Sequence, residues 1–179
     1  METIRVFRVL AYMAIILNLA IASTGCKKEE PKVEQSAPQV AQGPMTAANA
    51  ALPDDGFKAE ISVSNPPPTI KAKAEVTLEV KVKNTSNALW PAKGQSDSKY
   101  QTRLAYHWLD KNGKAVINEG LRTDLPSDLA QGKDLTLKAK VVAPEKPGDY
   151  ILELDMMQEL VSWFGPKGSP TAKVNVAVN

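Results

Sequence analysis

Few side chains in this chain are equipped for covalent or acid–base chemistry. Among 179 residues there is one cysteine, Cys26, and one histidine, His107. A Ser-His-Asp site would need His107 and a serine in a Gly-x-Ser-x-Gly turn, and the sequence has no such turn. Metal ligation would need further His or Cys partners at set spacings, and these are missing too. Carboxylates gather at Asp149, Glu153, Asp155 and Glu159. Two carboxyl groups facing each other across a cleft can cleave a glycosidic bond. Glu153 and Asp155, however, share the strand face that alternation marks as solvated. His107 falls on the side of its strand opposite Trp108 and reads as solvent-facing. No glycine-rich loop precedes a helix to hold phosphate. The residue types therefore predict no catalytic group, no cofactor and no metal.

The chemistry that remains lies at the sulfur of Cys26. Arg5 and Arg8 precede an apolar run from Val9 to Ala22, and Ser23, Thr24 and Gly25 lead into the cysteine. A basic end, a short apolar run and small residues describe a secretory signal peptide. The run is about 14 residues, short of the ~20 that span a bilayer as a helix. Ser23-Thr24-Gly25-Cys26 resembles the lipobox of bacterial lipoproteins, departing from it at Ser23, where that family usually carries Leu. The resemblance implies cleavage between Gly25 and Cys26, a diacylglycerol thioether on Cys26, and a further acyl chain such as palmitate on the new amino terminus. Two or more chains hold a protein at a bilayer where one does not, at ~0.8 kcal/mol per buried CH₂. The inner-membrane retention signal of some lipoproteins is Asp directly after the cysteine. Lys27 stands there instead, which implies the outer membrane, facing the periplasm or the exterior.

The full chain carries a net charge of +2, and removal of residues 1–25 takes away two arginines and one glutamate, leaving +1. That balance, with basic residues scattered among acidic ones, argues against nucleic acid as a partner. With Cys26 acylated, no thiol is left for a disulfide. Residues 26–56 hold the lipidated cysteine and a linker rich in Ala, Gln, Pro, Glu and Lys. Such a composition buries too little apolar surface to offset the entropy of ordering. About 30 linker residues give a mean reach of roughly 30 Å.

From residue 57 to residue 179 the pattern changes to short alternating runs between turn residues. Val76, Leu78, Val80 and Val82 alternate with Thr77, Glu79, Lys81 and Lys83. Leu104, Tyr106 and Trp108 form a second alternating set, and Asp110–Gly113 supplies a hairpin turn. Leu135, Leu137, Ala139 and Val141 alternate next, then Tyr150, Leu152 and Leu154, a short apolar strand over Leu160–Phe164, and Val174, Val176 and Val178. A short helical turn is expected within 122–130. This pattern predicts an all-β antiparallel sandwich of about 7–8 strands. The inward Trp108 and the KPGDYILELD segment at 146–155 resemble immunoglobulin-like and fibronectin type III-like domains. YHWLDKNGKAV, EGLRTDLPSDLAQG, YILELDMMQELVSWFGPKGS and NTSNALWPA resemble the immunoglobulin-like modules appended to bacterial glycosyltransferases and other cell-envelope proteins. The resemblance implies a non-catalytic module in the cell envelope.

Binding would then fall to aromatic and polar residues in or near loops. Trp90, Tyr100, Trp163 and Phe164 could stack on sugar rings, while Arg103, Arg122, Asn118 and Gln158 could bond hydroxyls. Alternatively each Trp plugs one end of the sandwich, and of the strand neighbours Trp163 and Phe164 one is expected in the core. The same residue types anchor protein interfaces. Two partners are therefore expected beside the membrane reached through the N-terminal lipid: an envelope polysaccharide or other glycan, or a protein of an envelope assembly. The lipid expectation is checked by intact mass. The membrane fraction of a bacterial expression host should hold a chain starting at residue 26 with added acyl mass, and Cys26→Ala should abolish both the cut and the added mass. A soluble product with an unmodified Cys26 would contradict it.

Overall fold

The structure, a computed structural model, describes residues 49–179. The expected signal peptide, Cys26 and the expected linker up to residue 48 lie outside the described residues. Alternation becomes sheet as the sequence predicts. In β3 (Glu75–Asn84), Leu78, Val80 and Val82 are buried while Thr77, Glu79 and Lys81 are exposed. β3 is flanked by β1 (Ala59–Ser64) and β7 (Asp134–Val142), both antiparallel to it, in a three-stranded sheet ordered β1-β3-β7. The second sheet runs β2 (Thr69–Ile70), β10 (Ala172–Val178), β8 (Gly148–Gln158), β4 (Thr102–Asp110) and β5 (Ala115–Ile117). Short strands β6 (Thr123–Asp124) and β9 (Ser162–Trp163) pair with β4 and β8. Asn65, at φ 47°, and Pro66–Pro68 end β1 and let the chain cross to the other sheet. There β2 pairs parallel to β10, while β4, β8 and β10 pair antiparallel.

The core lies between the sheets. Leu78, Val80, Val82, Leu137, Ala139 and Val141 face Leu104, Tyr106, Trp108, Leu152, Leu154, Met156 and Val176, all buried. Each large side chain removed from water contributes about 1.5–3 kcal/mol. Two side chains of β4 also reach across the core to the far sheet. The Val142 N–H donates to the Tyr106 hydroxyl at 3.0 Å, and Trp108 Nε1–H donates to the Val142 carbonyl at 2.9 Å. Val142 ends the open edge of the smaller sheet, so these bonds satisfy both main-chain groups that β3 does not. Antibody domains join their two sheets with a disulfide, and this domain has no cysteine with which to do so. Tyr150 forms the corner near the start of β8, its hydroxyl donating to the Lys146 carbonyl at 2.9 Å and its ring meeting Trp108 edge-on at 6.1 Å. Strand order, inward Trp and tyrosine corner make the domain immunoglobulin-like.

Three expectations differ in detail. Ala50 and Leu52, assigned from sequence to the linker, bond to Gln158, and Leu52 is buried in the core. Residues 122–130 hold no helical turn; they form β6 and a bridge from Leu129 to Trp90. The strand expected over Leu160–Phe164 shrinks to Ser162–Trp163, because Leu160 adopts φ 57° and turns the chain.

Candidate functional site

Loops 85–101, 118–122 and 159–171 gather at one end of the sandwich, where such domains present variable loops. That end must be sealed against water, and aromatic rings seal it. Phe164 meets Phe57 at 5.1 Å and Trp90 at 5.0 Å, both edge-on, and Trp90 Nε1–H donates to the Gly56 carbonyl at 2.9 Å. Phe57, Trp90 and Phe164 are at most 1% exposed. Gln158 is also enclosed. Its Nε2 donates to the carbonyls of Tyr100 and Ala50, and its Oε1 accepts the Leu52 N–H. The candidacy of Trp90, Phe164 and Gln158 as ligand-binding residues is therefore corrected: Trp90 and Phe164 take the plug and core reading that the sequence also allowed, and Gln158 is an internal staple. Position in a loop suggested exposure, but the loops fold back over the open end.

The other four candidates lie near one another. Glu159, only 14% exposed, receives Arg103 at 3.3 Å and Arg122 at 3.4 Å. Arg103 also pairs with Asp124 at 2.7 Å, and Arg122 pairs with Glu119 and donates to the Gly120 carbonyl. Two guanidinium groups thus meet three carboxylates, so the cluster does not attract anions. Trp163 lies beside it, with the His107 ring at 4.1 Å and the Arg122 guanidinium over it at 5.3 Å. Tyr100 donates its N–H to the Glu159 carbonyl at 3.0 Å, and Lys99 sits over its ring. Gly120 is required by close approach: any side chain there would come within 2.5 Å of the Tyr106 ring. The cluster walls an open cleft of about 310 Å³ that includes Met157, Leu160, Ser162 and Trp163. Leu160 is 67% exposed and Val161 37%. Tyr100 (φ 71°) and Leu160 (φ 57°) both hold left-handed backbone, each at a cost of about 1–3 kcal/mol. Alternation could not announce Leu160 and Val161 as the exposed apolar tip, because a single left-handed residue sets it.

The solvated face expected for Glu153 and Asp155 is covered. Residues 163–171 fold back over the outer side of β8. Asp155 is 2% exposed, with Oδ2 accepting the Gly165 N–H at 2.8 Å and Oδ1 without a partner among the described residues. A side chain at position 165 would come within 2.9 Å of Oδ2. Burial raises the Asp155 carboxyl to a pKa of about 6, opposed by main-chain N–H groups and helped by the nearby Glu153. Glu153 itself accepts from Thr171 at 2.7 Å and pairs with Lys173 at 3.3 Å. His107, expected in solvent, is half-buried against Trp163 with Nδ1 bonded to the Asn118 carbonyl. Glu153 and Asp155 lie side by side on one face of β8, with His107 the cross-strand neighbour of Glu153. The described residues hold no group of three or more His, Cys, Asp or Glu placed to bind a metal.

No protein-family model matches the chain, and a search of curated proteins finds no match. Solved structures resemble it loosely. A CARDB domain from Pyrococcus furiosus, in complex with di-metal ions, superposes with TM-score 0.41 at 17% identity, over 68% of this chain and 86% of that one. The alkylpurine DNA glycosylase AlkC of Pseudomonas fluorescens, bound to DNA with an abasic-site analog, gives 0.43 at 10% identity, over 68% of this chain and 30% of that one. The sporulation control protein Spo0M of Bacillus subtilis gives 0.41 at 10% identity, over 68% and 49%. The class assignment rests on the chain's own strand order, Trp108 and Tyr150.

The buried carboxyl has a measurable consequence. The unfolded Asp releases its proton near pH 4 and the folded Asp155 near pH 6. Between these values the native state binds more protons, so stability falls as pH rises and stays low above pH 6. A proton held to a pH higher by about 2 corresponds to about 3 kcal/mol. Asp155→Asn keeps an acceptor for Gly165 and removes the charge. Urea denaturation should show a gain of about 2–3 kcal/mol at pH 8 and little change at pH 4. An equal effect at both pH values would contradict the assignment.

Proposed function

We propose that the chain is a lipid-anchored, non-catalytic immunoglobulin-like module of the cell envelope that docks a protein partner at its loop end. Cys26 carries the anchor and Lys27 directs it to the outer membrane. The observation that carries the docking reading is the Leu160–Val161 turn, which stands exposed on the rim of a cleft whose charges are already paired. Interfaces of this kind place an apolar anchor inside a polar rim. Left-handed backbone at Leu160 and Tyr100 gives the tip a defined shape.

Glycan recognition is favoured less. Stacking on a sugar requires an open aromatic face. Trp90 and Phe164 are buried, Trp163 is packed by His107 and Arg122, and Tyr100 carries Lys99. A photo-crosslinking residue at position 161, in cells, tests the choice. One protein adduct is expected, lost in Leu160→Asp, a substitution that an exposed left-handed position tolerates. Glycan-array binding by the folded protein, with no protein adduct, would overturn it.

A further inference from the structure

At the end away from the gathered loops, a second cavity of about 410 Å³ lies between β5 and the turn joining β7 to β8. It is lined by Val116, Ile117, Pro144, Glu145, Lys146 and Tyr150, and its size falls within the ~300–1,000 Å³ of ligand clefts. Its floor is apolar. Val116 is 48% exposed, beside half-buried Ile117 and Tyr150.

The walls are fixed in advance. The Tyr150 hydroxyl bonds the Lys146 carbonyl at 2.9 Å and ties the turn to β8. On the other side, the Asp110 N–H donates to the Lys114 carbonyl at 2.8 Å and starts the β4–β5 hairpin. The pairing then shifts register between Trp108 and Leu109. Such irregularities bend a strand and re-aim its side chains. β5 is also the last strand of its sheet, so its outer main chain offers donors and acceptors to an added strand. Charge adds direction. Glu145 is held by Lys73 at 2.5 Å, while Lys146, on the rim, makes no ion pair among the described residues.

We propose that this groove and the free edge of β5 capture an extended segment of a partner protein bearing an apolar residue and, two positions away, a carboxylate. Residues two apart on a strand share a face. One side chain would enter the groove over Val116 while the acid reaches Lys146 and the main chain pairs with β5. The three-residue length of β5 limits the main-chain bonds, so the groove and Lys146 supply most of the selectivity. This surface is separate from the Leu160 cleft, and neither depends on the other.

Panning phage-displayed random octapeptides against the full chain in detergent tests it, followed by fluorescence anisotropy with the enriched peptides. The enriched set should share an apolar-x-acidic pattern. Val116→Asp should weaken binding by about tenfold or more. Lys146→Glu should do the same and shift preference toward basic peptides. Both side chains are exposed, so circular dichroism should show an unchanged fold; if Val116→Asp disturbs it, the charge reversal at Lys146 decides alone. No shared pattern, binding indifferent to Lys146→Glu, or binding lost only in Leu160→Asp would overturn the proposal.

Discussion

The two sheets of this domain are joined at Val142. Its N–H and C=O point away from β3 at the end of an open edge, where they would otherwise face water or go unpaired. Tyr106 and Trp108 reach through the core to meet both, at 3.0 and 2.9 Å. A net hydrogen bond is worth about 0.5–1.5 kcal/mol, and a buried polar group left unpaired costs more. The geometric effect matters more than the sum. The two bonds fix the spacing and the offset of the sheets, and Trp108 then braces Tyr150 at the corner. A chain with one cysteine, near its N-terminus, obtains by hydrogen bonding the cross-sheet link that antibody domains obtain covalently.

That framework lets both ends specialise. At the loop end the aromatic plug closes the core, and the Arg103–Glu159–Arg122 cluster stiffens the rim. Because these charges are spent on one another, the rim presents shape and apolar surface. At the opposite end the tyrosine corner builds one wall of a groove beside a free strand edge. Residues 163–171 cover the part of the larger sheet's outer face around Asp155, leaving Asp155 as a buried group that disfavours its own charge.

Much of the fold was legible in the sequence. Period-two alternation placed β3, β4, β7, β8 and β10, Asn112-Gly113 marked the hairpin, and Trp108 and Tyr150 indicated the class. Two kinds of information were hidden. Alternation tells which face of a strand leaves the core but not whether another segment returns to cover it, which is why Asp155 and His107 were misplaced. Loop position, likewise, left exposure and plugging both open for Trp90 and Phe164, and it could not show that the loops enclose Gln158 at the end of β8. Of the seven candidate binding residues, Arg122, Gln158 and Trp163 line the cleft, and Arg103 and Tyr100 adjoin it through their bonds to Glu159. Its most exposed member, Leu160, was expected to start a strand, because nothing in its neighbours foretells a left-handed leucine.

Amide hydrogen exchange at Val142, together with exchange of the Trp108 indole N–H, tests the cross-sheet link most directly. Lys138 and Lys140 lie on the same open edge with their N–H groups turned outward, and edge amides of that kind exchange fast. If the link holds the sheets, Val142 and the Trp108 indole exchange only through global unfolding, with a free energy equal to that from urea denaturation. Exchange of Val142 as rapid as that of Lys138 and Lys140, while Leu152 stays protected, would show that the link opens locally and does not hold the sheets.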